Sequence, residues 1–542
     1  KNKAVATSTP TKTKSATSKQ QQSTKESDKN DDQSTASSSI PPHVIQKLQA
    51  ATKSQYSMVV LGHVDAGKST LMGQLLLQTN HVSQRLVSKL EKEASQIGKG
   101  SFALAWVLDS HENERERGVT MEIAMKALRT TKRSITILDA PGHAELVPTM
   151  MTGTAMADVG LLVVSAPPSE FEAGFGTTNN KSNNSGATAK GQTREHVTLA
   201  RGLGVGQLVV AVNKMDLVGY SQQRFDEICR KLKPFLKQVG FLPKRTTFVP
   251  VSGYNGINIM PTSTTTNTKN DKKLPKELAS WYKDGKPSLL DALNNVDEPY
   301  HIKEISNAAN KPLRCIIMDV YREGKYVLVQ CRVVQGTCQV GEKLLVNPMD
   351  QQVQLSRMEH PSTASMSMEH VMNTGTSDDD SSSSVDRTKY AIAGDLPTFS
   401  LVGMDAATAQ RLGPGQVLSH VTMRPPISRK AQVQLVVLEL SSGNPNSSVP
   451  IIRGAQLLLH MHSMDLPVIV SKLQSVTPKG ATRPVDKPRI LSGGSHAIVE
   501  LLTKRPICID AFEKCRALGR VVLRRGGRTV AMGIVEKVLD YN

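Results

Sequence analysis

The run SMVVL (57–61) passes without a break into Gly62, His63, Val64, Asp65, Ala66, Gly67, Lys68, Ser69 and Thr70, and this succession limits the fold more than any other. Gly62, Gly67, Lys68 and Ser69 meet the spacing G-x-x-x-x-G-K-S, in which a tight backbone curl turns several N–H groups toward an anion and the next helix N-terminus adds positive potential. Lys68 is then expected to reach the outer phosphates of a nucleoside triphosphate. The Ser69 hydroxyl is expected to ligate Mg²⁺.

The surrounding pattern agrees. YSMVVLG, SITILDA, VGLLVVSA, QLVVAVNK and TTFVPVSG are near-continuous apolar runs, the signature of parallel strands buried on both faces. Between them TREHVTLARGLG and SQQRFDEICRKLKPFLKQVG repeat apolar residues at helical spacing, and SLLDALNNV reads as a last helix. The fold class is therefore an α/β phosphate-loop domain, doubly wound on a mostly parallel sheet, over 54–304, with ligand at the carboxyl ends of its strands. Beyond about 305 short strands separated by Gly, Pro and Asn predict two all-β barrels, 305–428 and 429–542, with a seam at Pro425-Pro426. Residues 1–53, rich in Ser, Thr, Lys and Gln, read as a disordered tail. Inside it PPHVIQKLQAATK has helical spacing at Val44, Leu48 and Ala51, and the expectation is a transient helix with no role. Polar stretches at 176–190, 261–273 and 376–386, the last within an acidic Ser/Asp insertion near 360–388, read as surface insertions.

A net charge of +19 and a pI near 9.6 suit work against a polyanion such as RNA or a ribosome surface; lysine-rich tails are the plainer alternative. Eight Lys against four acids in 1–50 and nine Lys or Arg against four acids in 501–542 concentrate that charge at the two ends. Cys229, Cys315, Cys331, Cys338, Cys508 and Cys515 are never spaced as C-x-x-C, so buried free thiols are expected rather than zinc ligands or disulfides. No apolar run reaches membrane-spanning length and no leader pattern opens the chain, and the expectation is a soluble cytoplasmic protein. The chain starts at Lys1 rather than Met, so part of the natural N-terminus is expected to precede it.

The base is selected elsewhere. Asn213, Lys214, Met215 and Asp216 close the run QLVVAVNK, and a carboxylate there accepts from N1–H and the exocyclic amine of guanine, a donor pair adenine lacks. Asn213 is assigned the N7/O6 side of the ring, Lys214 its face, and Ser252, Gly253 and Tyr254 the supply of backbone donors to O6. Asp139, Ala140, Pro141, Gly142 and His143 end SITILDA: Asp139 is placed near the magnesium shell through water, the Gly142 N–H at the γ-phosphate, and His143 as the residue that orients the attacking water. RERGVT (115–120) brings Thr120 to Mg²⁺ as a second hydroxyl. The implied ligands are GTP or GDP and Mg²⁺, with Lys68, Thr120 and His143 the catalytic set. A nucleotide-binding scaffold without turnover and an ATP-using enzyme are the rival classes.

With GHVDAGKST, ERERGVT, DAPGH, SEFEAGF, GQTREH, NKMD and LGRVVLRRGGRTVAMGIV all in order over 54–542, the chain resembles the translational GTPases of the elongation factor one-alpha class. Within it GKSTLMGQLL, SFALAWVLD and RERGVTMEIA are most similar to the Hbs-one-like ribosome-rescue branch. That resemblance implies a monomer, or a heterodimer with a Pelota-type protein, that acts on stalled ribosomes and rRNA; carriers of aminoacyl-tRNA and release factor three are the alternatives. It also implies an apolar gate at Val64 and Val119 in front of His143. HAELVP after the DAPG turn, and Cys331 in the first barrel, depart from the family's pattern.

Overall fold

The computed structural model describes residues 40–541 apart from 53–54, 97, 99, 109–113, 115–119, 121–122, 177–191, 262–273, 283–284, 300–310, 324–325, 362–387 and 439–449. The three predicted insertions, Val119 and the segment before Ile40 lie outside the described residues, wholly or nearly so.

Strands β1 (Gln55–Leu61), β2 (Ala124–Arg129), β3 (Ser134–Asp139), β4 (Val159–Ser165), β5 (Gln207–Asn213) and β6 (Thr246–Pro250) form one sheet in the order β2-β3-β1-β4-β5-β6. All pairings are parallel except β2 with β3. Every residue of β4 and β5 is buried, which is why their sequences are apolar without alternation.

Helices cover both faces. On one, α2 (Lys68–Gln78) lays Leu71, Met72, Leu75 and Leu76 against Met58, Val60, Ile137 and Val163. On the other, α4 (Val147–Ala155), α5 (Pro168–Phe175), α6 (Gln192–Leu203) and α7 (Gln222–Val239) pack on Val59, Leu61, Leu162 and Val212. Between these, α3 (Gln84–Gln96) buries Val87, Leu90 and Ala94, with Leu90 and Ala94 against Trp106.

The first barrel is closed by β7 (Arg314–Glu323), β8 (Tyr326–Gln335), β10 (Lys343–Asn347), β11 (Gln351–Glu359), β13 (Thr398–Val402) and β14 (Val417–His420), while β9 (Thr337–Gln339) and β12 (Tyr390–Ile392) pair beside it. The second uses β15 (Ile427–Val437), β17 (Gln456–Met461), β18 (Met464–Thr477), β21 (His496–Cys508), β22 (Arg520–Arg525) and β23 (Arg528–Tyr541) in the order β17-β22-β23-β15-β21-β18, closed by β17 pairing with β18. Two short pairs decorate it: β19 (Val485–Asp486) extends β18, and β16 (Ile451–Ile452) joins β20 (Ile490–Leu491). Barrel strands alternate buried and exposed residues, as strands with one wet face must. All six cysteines are buried free thiols.

The three parts pack into one body. The α4–α7 core continues into Ile316, Met318 and Val417 of the first barrel and Cys508, Leu518 and Val522 of the second. Arg332 of β8 donates to Asp158 Oδ1 (2.7 Å) and Ser57 Oγ (2.9 Å) under the sheet. Glu195 of α6 accepts from Thr529 N and Oγ1 at 3.0 and 2.6 Å. Ser463 bonds the Ile317 carbonyl at 2.8 Å and joins the barrels.

One expectation is overturned. The segment Pro42–Thr52 is a docked helix, α1, with Leu48 fully buried against Ile392 and Ala393 of the first barrel and Val44 and Tyr390 packed around it. Its apolar face is narrow, and only the barrel patch, some 340 residues away in sequence, makes burying it favourable. Strand β2 carries no apolar run in AMKALR and was not foreseen; it is an edge strand paired on one side only.

Candidate functional site

The carboxyl ends of β1, β3, β5 and β6 all open on one side of the sheet, and the loops that leave them build the site. The loop after β1 curls through left-handed residues, Asp65 at φ 59° and Gly67 at φ 80°, before α2 begins at Lys68. At Gly67 a Cβ would stand 2.6 Å from Asn213 Nδ2, so only glycine lets the loop approach β5 this closely.

Asn213 holds two loops together. Its Nδ2 donates to the Ala66 carbonyl (2.9 Å) and its Oδ1 accepts from Gly253 N (2.8 Å), tying the phosphate loop to the loop after β6. The Gly253 N–H, expected to turn toward O6, bonds Asn213 in this arrangement.

A cleft of about 550 Å³ is lined by Val64, Asp65, Gly67, Lys68, Ser69, Thr70, Thr120, Gly142, His143, Asn213, Lys214, Asp216 and Tyr254, together with Phe102, Ala105 and Leu217. Lys68 and Asp216, predicted to serve opposite ends of one nucleotide, therefore face a single space. Of the other predicted residues, Gly62, His63, Ala66, Asp139, Ala140, Pro141, Met215, Ser252 and Gly253 are not on the cleft wall. Met215 is wholly buried in the helical core, and Ser252, also fully buried, braces its own turn by accepting from Asn255 N at 3.3 Å. His63 instead bonds Gln192 Oε1 at 2.6 Å behind the loop.

At the phosphate end Ser69 Oγ lies 2.5 Å from Asp139 Oδ2 and 3.3 Å from Thr120 Oγ1. Asp139 is fully buried and its Oδ1 has no partner among the described residues. Burial pushes its carboxyl up, against the Ser69 bond and the Lys68 charge that pull it down. Two hydroxyls and an orphaned carboxylate oxygen fit a hard cation that keeps several waters, so Ser69 and Thr120 would hold Mg²⁺ directly and Asp139 through water. Lys68 donates to the His63 carbonyl at 3.0 Å, and burial lowers its pKa while Asp139 and Asp65 raise it. A Cβ at Gly142 would collide with the Lys68 ammonium, which places the DAPG turn directly over the lysine.

At the base end Lys214 sits in left-handed backbone at φ 59° with its ammonium 2.6 Å from Glu170 Oε2. Glu170 also accepts from Ser165 Oγ at 2.6 Å; burial raises its pKa, but the Lys214 and Ser165 bonds bring it below the ordinary carboxylate value. Glu170 was not foreseen as part of the site. Its signal was available only as its place in SEFEAGF, five residues beyond the end of β4.

Comparison with known proteins agrees with this geometry. The family described as Elongation factor Tu GTP binding domain matches residues 53–299, and GTP-eEF1A C-terminal domain-like matches 430–536. Protein HBS1 of Drosophila melanogaster is 38% identical over 498 residues, 91% of this chain; the chain spans 64% of that protein. Elongation factor 1-alpha of Thermofilum pendens is 34% identical over 89% of this chain and 97% of its own length. The Saccharomyces cerevisiae Ski7 GTPase-like domain bound to GTP shares the fold, with a TM-score of 0.65 at 18% identity, covering 92% of this chain and 99% of that one. The chain belongs to the elongation factor 1-alpha family of translational GTPases.

Proposed function

We propose that this protein is a GTP-driven delivery factor. Its GTP form binds a tRNA-shaped Pelota-type protein, docks on a stalled ribosome, hydrolyses GTP on ribosomal contact and releases its cargo, in the cytoplasm. The observation that carries the reading is the single cleft faced by Lys68, Ser69, Thr120, His143 and Asp216, in a domain locked to two barrels. The similarity to HBS1 supports the rescue role over the others.

In this reading Asp216 accepts the two donors of the guanine edge, and Lys214, steadied by Glu170, lies along the ring. Lys68 and the backbone N–H groups of 64–69 hold the outer phosphates. Mg²⁺, held by Ser69 and Thr120 and through water by Asp139, would supply charge neutralisation at the outer phosphates. His143 orients the attacking water, and Val64, on the same cleft wall, keeps it turned away until the ribosome docks. Thr120 and Gly142 contact the end of the triphosphate, so losing the γ-phosphate frees both segments.

Carriage of aminoacyl-tRNA is the second reading, favoured by the near-complete span of elongation factor 1-alpha. Co-purification from lysate of the protein loaded with a non-hydrolysable GTP analogue separates the two. A Pelota-type protein is the expected companion. Aminoacyl-tRNA or a termination factor, with no Pelota-type protein, overturns the rescue role.

A further inference from the structure

The segment SFALAWVL (101–108) takes no part in the phosphate, magnesium or base contacts assigned above. Most of it is an anchor. Ala103, Ala105, Trp106 and Leu108 are buried, Ala103 and Trp106 against Leu90 and Ala94 of α3, and Leu108 in the core that holds Leu71 and Leu75 of α2. Leu104 seats the segment on α2 itself: a Cβ at Gly73 would stand 2.0 Å from the Leu104 carbonyl oxygen, so glycine alone lets the two backbones lie this close.

Phe102 breaks the pattern. Its ring is 37% exposed and lines the nucleotide cleft. Leu217, next to Asp216, and Tyr254, in the loop after β6, line the same cleft at 65% and 63% exposure, although Met215 in the same turn as Leu217 is wholly buried. Single wet apolar side chains are ordinary on a protein surface. Three of them on the wall of one concave site, each carried by a well-anchored turn, mark surface kept for a ligand with an apolar face.

The chemistry of the cleft decides which part of the ligand that is. Lys68, Ser69 and Thr120 make one end polar, and an aromatic ring set against a phosphate would strip its water without replacing the bonds. The sugar C–H groups and the purine faces are the apolar part of a nucleotide, and they suit an aromatic ring. The anchor point agrees with this. Gly73 lies five residues beyond Lys68, about 7.5 Å along the axis of α2, so the segment is seated away from the phosphate loop.

We infer, on the guanine-nucleotide reading above, that Phe102 is a positioning residue for the nucleoside half of the ligand. It covers sugar and base from the side of α2, while Leu217 and Tyr254 flank them from the side of Asp216. Its role is to slow nucleotide release. A contact with the nucleoside is indifferent to the γ-phosphate and to Mg²⁺, which separates it from a residue that works through the phosphate end.

The test follows release of radiolabelled GDP, and of a non-hydrolysable GTP analogue, from the full chain after an unlabelled chase, once with Mg²⁺ and once with EDTA. Phe102→Ala should speed release about fivefold or more for both nucleotides in both buffers, the loss expected of one aromatic contact with a nucleoside. Phe102→Tyr keeps the ring and should stay within about twofold of wild type. Phe102→Trp should add an emission signal that changes on GDP binding, beyond the background of Trp106 and Trp281. Because the ring is partly exposed, the thermal midpoint without nucleotide should hardly move in Phe102→Ala, which separates lost contact from lost fold. Release from Phe102→Ala within about twofold of wild type overturns the inference alone, as does an acceleration seen only with the GTP analogue or only with Mg²⁺. A wild-type chain that retains neither nucleotide overturns the guanine-nucleotide reading and this role with it.

Discussion

Asn213→Ala removes a side chain that spans the phosphate loop and the loop after β6. The residue is 3% exposed, and both its bonds, to the Ala66 carbonyl and from the Gly253 N–H, are buried. Truncation leaves a carbonyl and an N–H without partners, each costing about 1–3 kcal/mol. Even at the low end the two together come to about 2 kcal/mol. Because the loops they hold are the two halves of one cleft, we expect most of that loss in nucleotide affinity, about thirtyfold or more. Equilibrium titration with a fluorescent GDP analogue in the presence of Mg²⁺ measures it, with a urea midpoint taken in parallel to separate affinity from global stability. Asn213→Asp, which keeps the acceptor for Gly253 but turns a carboxylate on the Ala66 carbonyl, should not restore binding. An affinity for Asn213→Ala within about threefold of wild type, below the roughly 1 kcal/mol expected of even one such orphan, refutes the reasoning.

His143→Ala should lower ribosome-stimulated GTP turnover about a hundredfold or more while GDP affinity stays the same; equal turnover removes His143 from the chemistry. Arg332→Met breaks a buried ion pair from one side and should cost about 3 kcal/mol in a urea midpoint, at the low end because Asp158 keeps its bonds from Ser57 N and Oγ. Pairing it with Asp158→Asn should recover part of the loss. Burial brings the His462 pKa down to about 4 from an ordinary 6.5, so between those values the unfolded chain binds a proton that the folded one does not. Stability is then highest above pH 6.5 and falls as pH drops toward 4, by about 3 kcal/mol from this residue. His462→Leu should flatten the decline between pH 6.5 and 5, as read by thermal midpoints; an unchanged slope contradicts the buried neutral imidazole.

What could be read from sequence follows from the range of each interaction. The apolar strands β4 and β5 are legible because burial on both faces leaves continuous runs, whereas β2, an edge strand with Lys126 in its middle, leaves none. The phosphate loop and the 213–216 segment are local signatures, readable because their chemistry demands particular residue types a few positions apart. Glu170 meets Lys214 across 44 residues and Asn213 meets Ala66 across 147, and no spacing rule carries that information. The same holds for α1, whose partner is a barrel, and for Arg520, which lies over Gly204 at the end of α6. Packing between domains creates these sites, and the strands that carry them look like ordinary barrel strands.

The most direct measurement is the base preference of Asp216→Asn, since the whole account requires that this carboxylate and the Lys68 loop grip one guanine nucleotide. A carboxamide offers an N–H where the carboxylate accepted one, which suits the 2-oxo group of xanthine and leaves guanine's amine unpaired. Competition binding with GDP and xanthosine diphosphate should show GDP affinity down by about a hundredfold or more and xanthosine diphosphate the preferred ligand. Undiminished GDP binding with no gain for xanthine would contradict it.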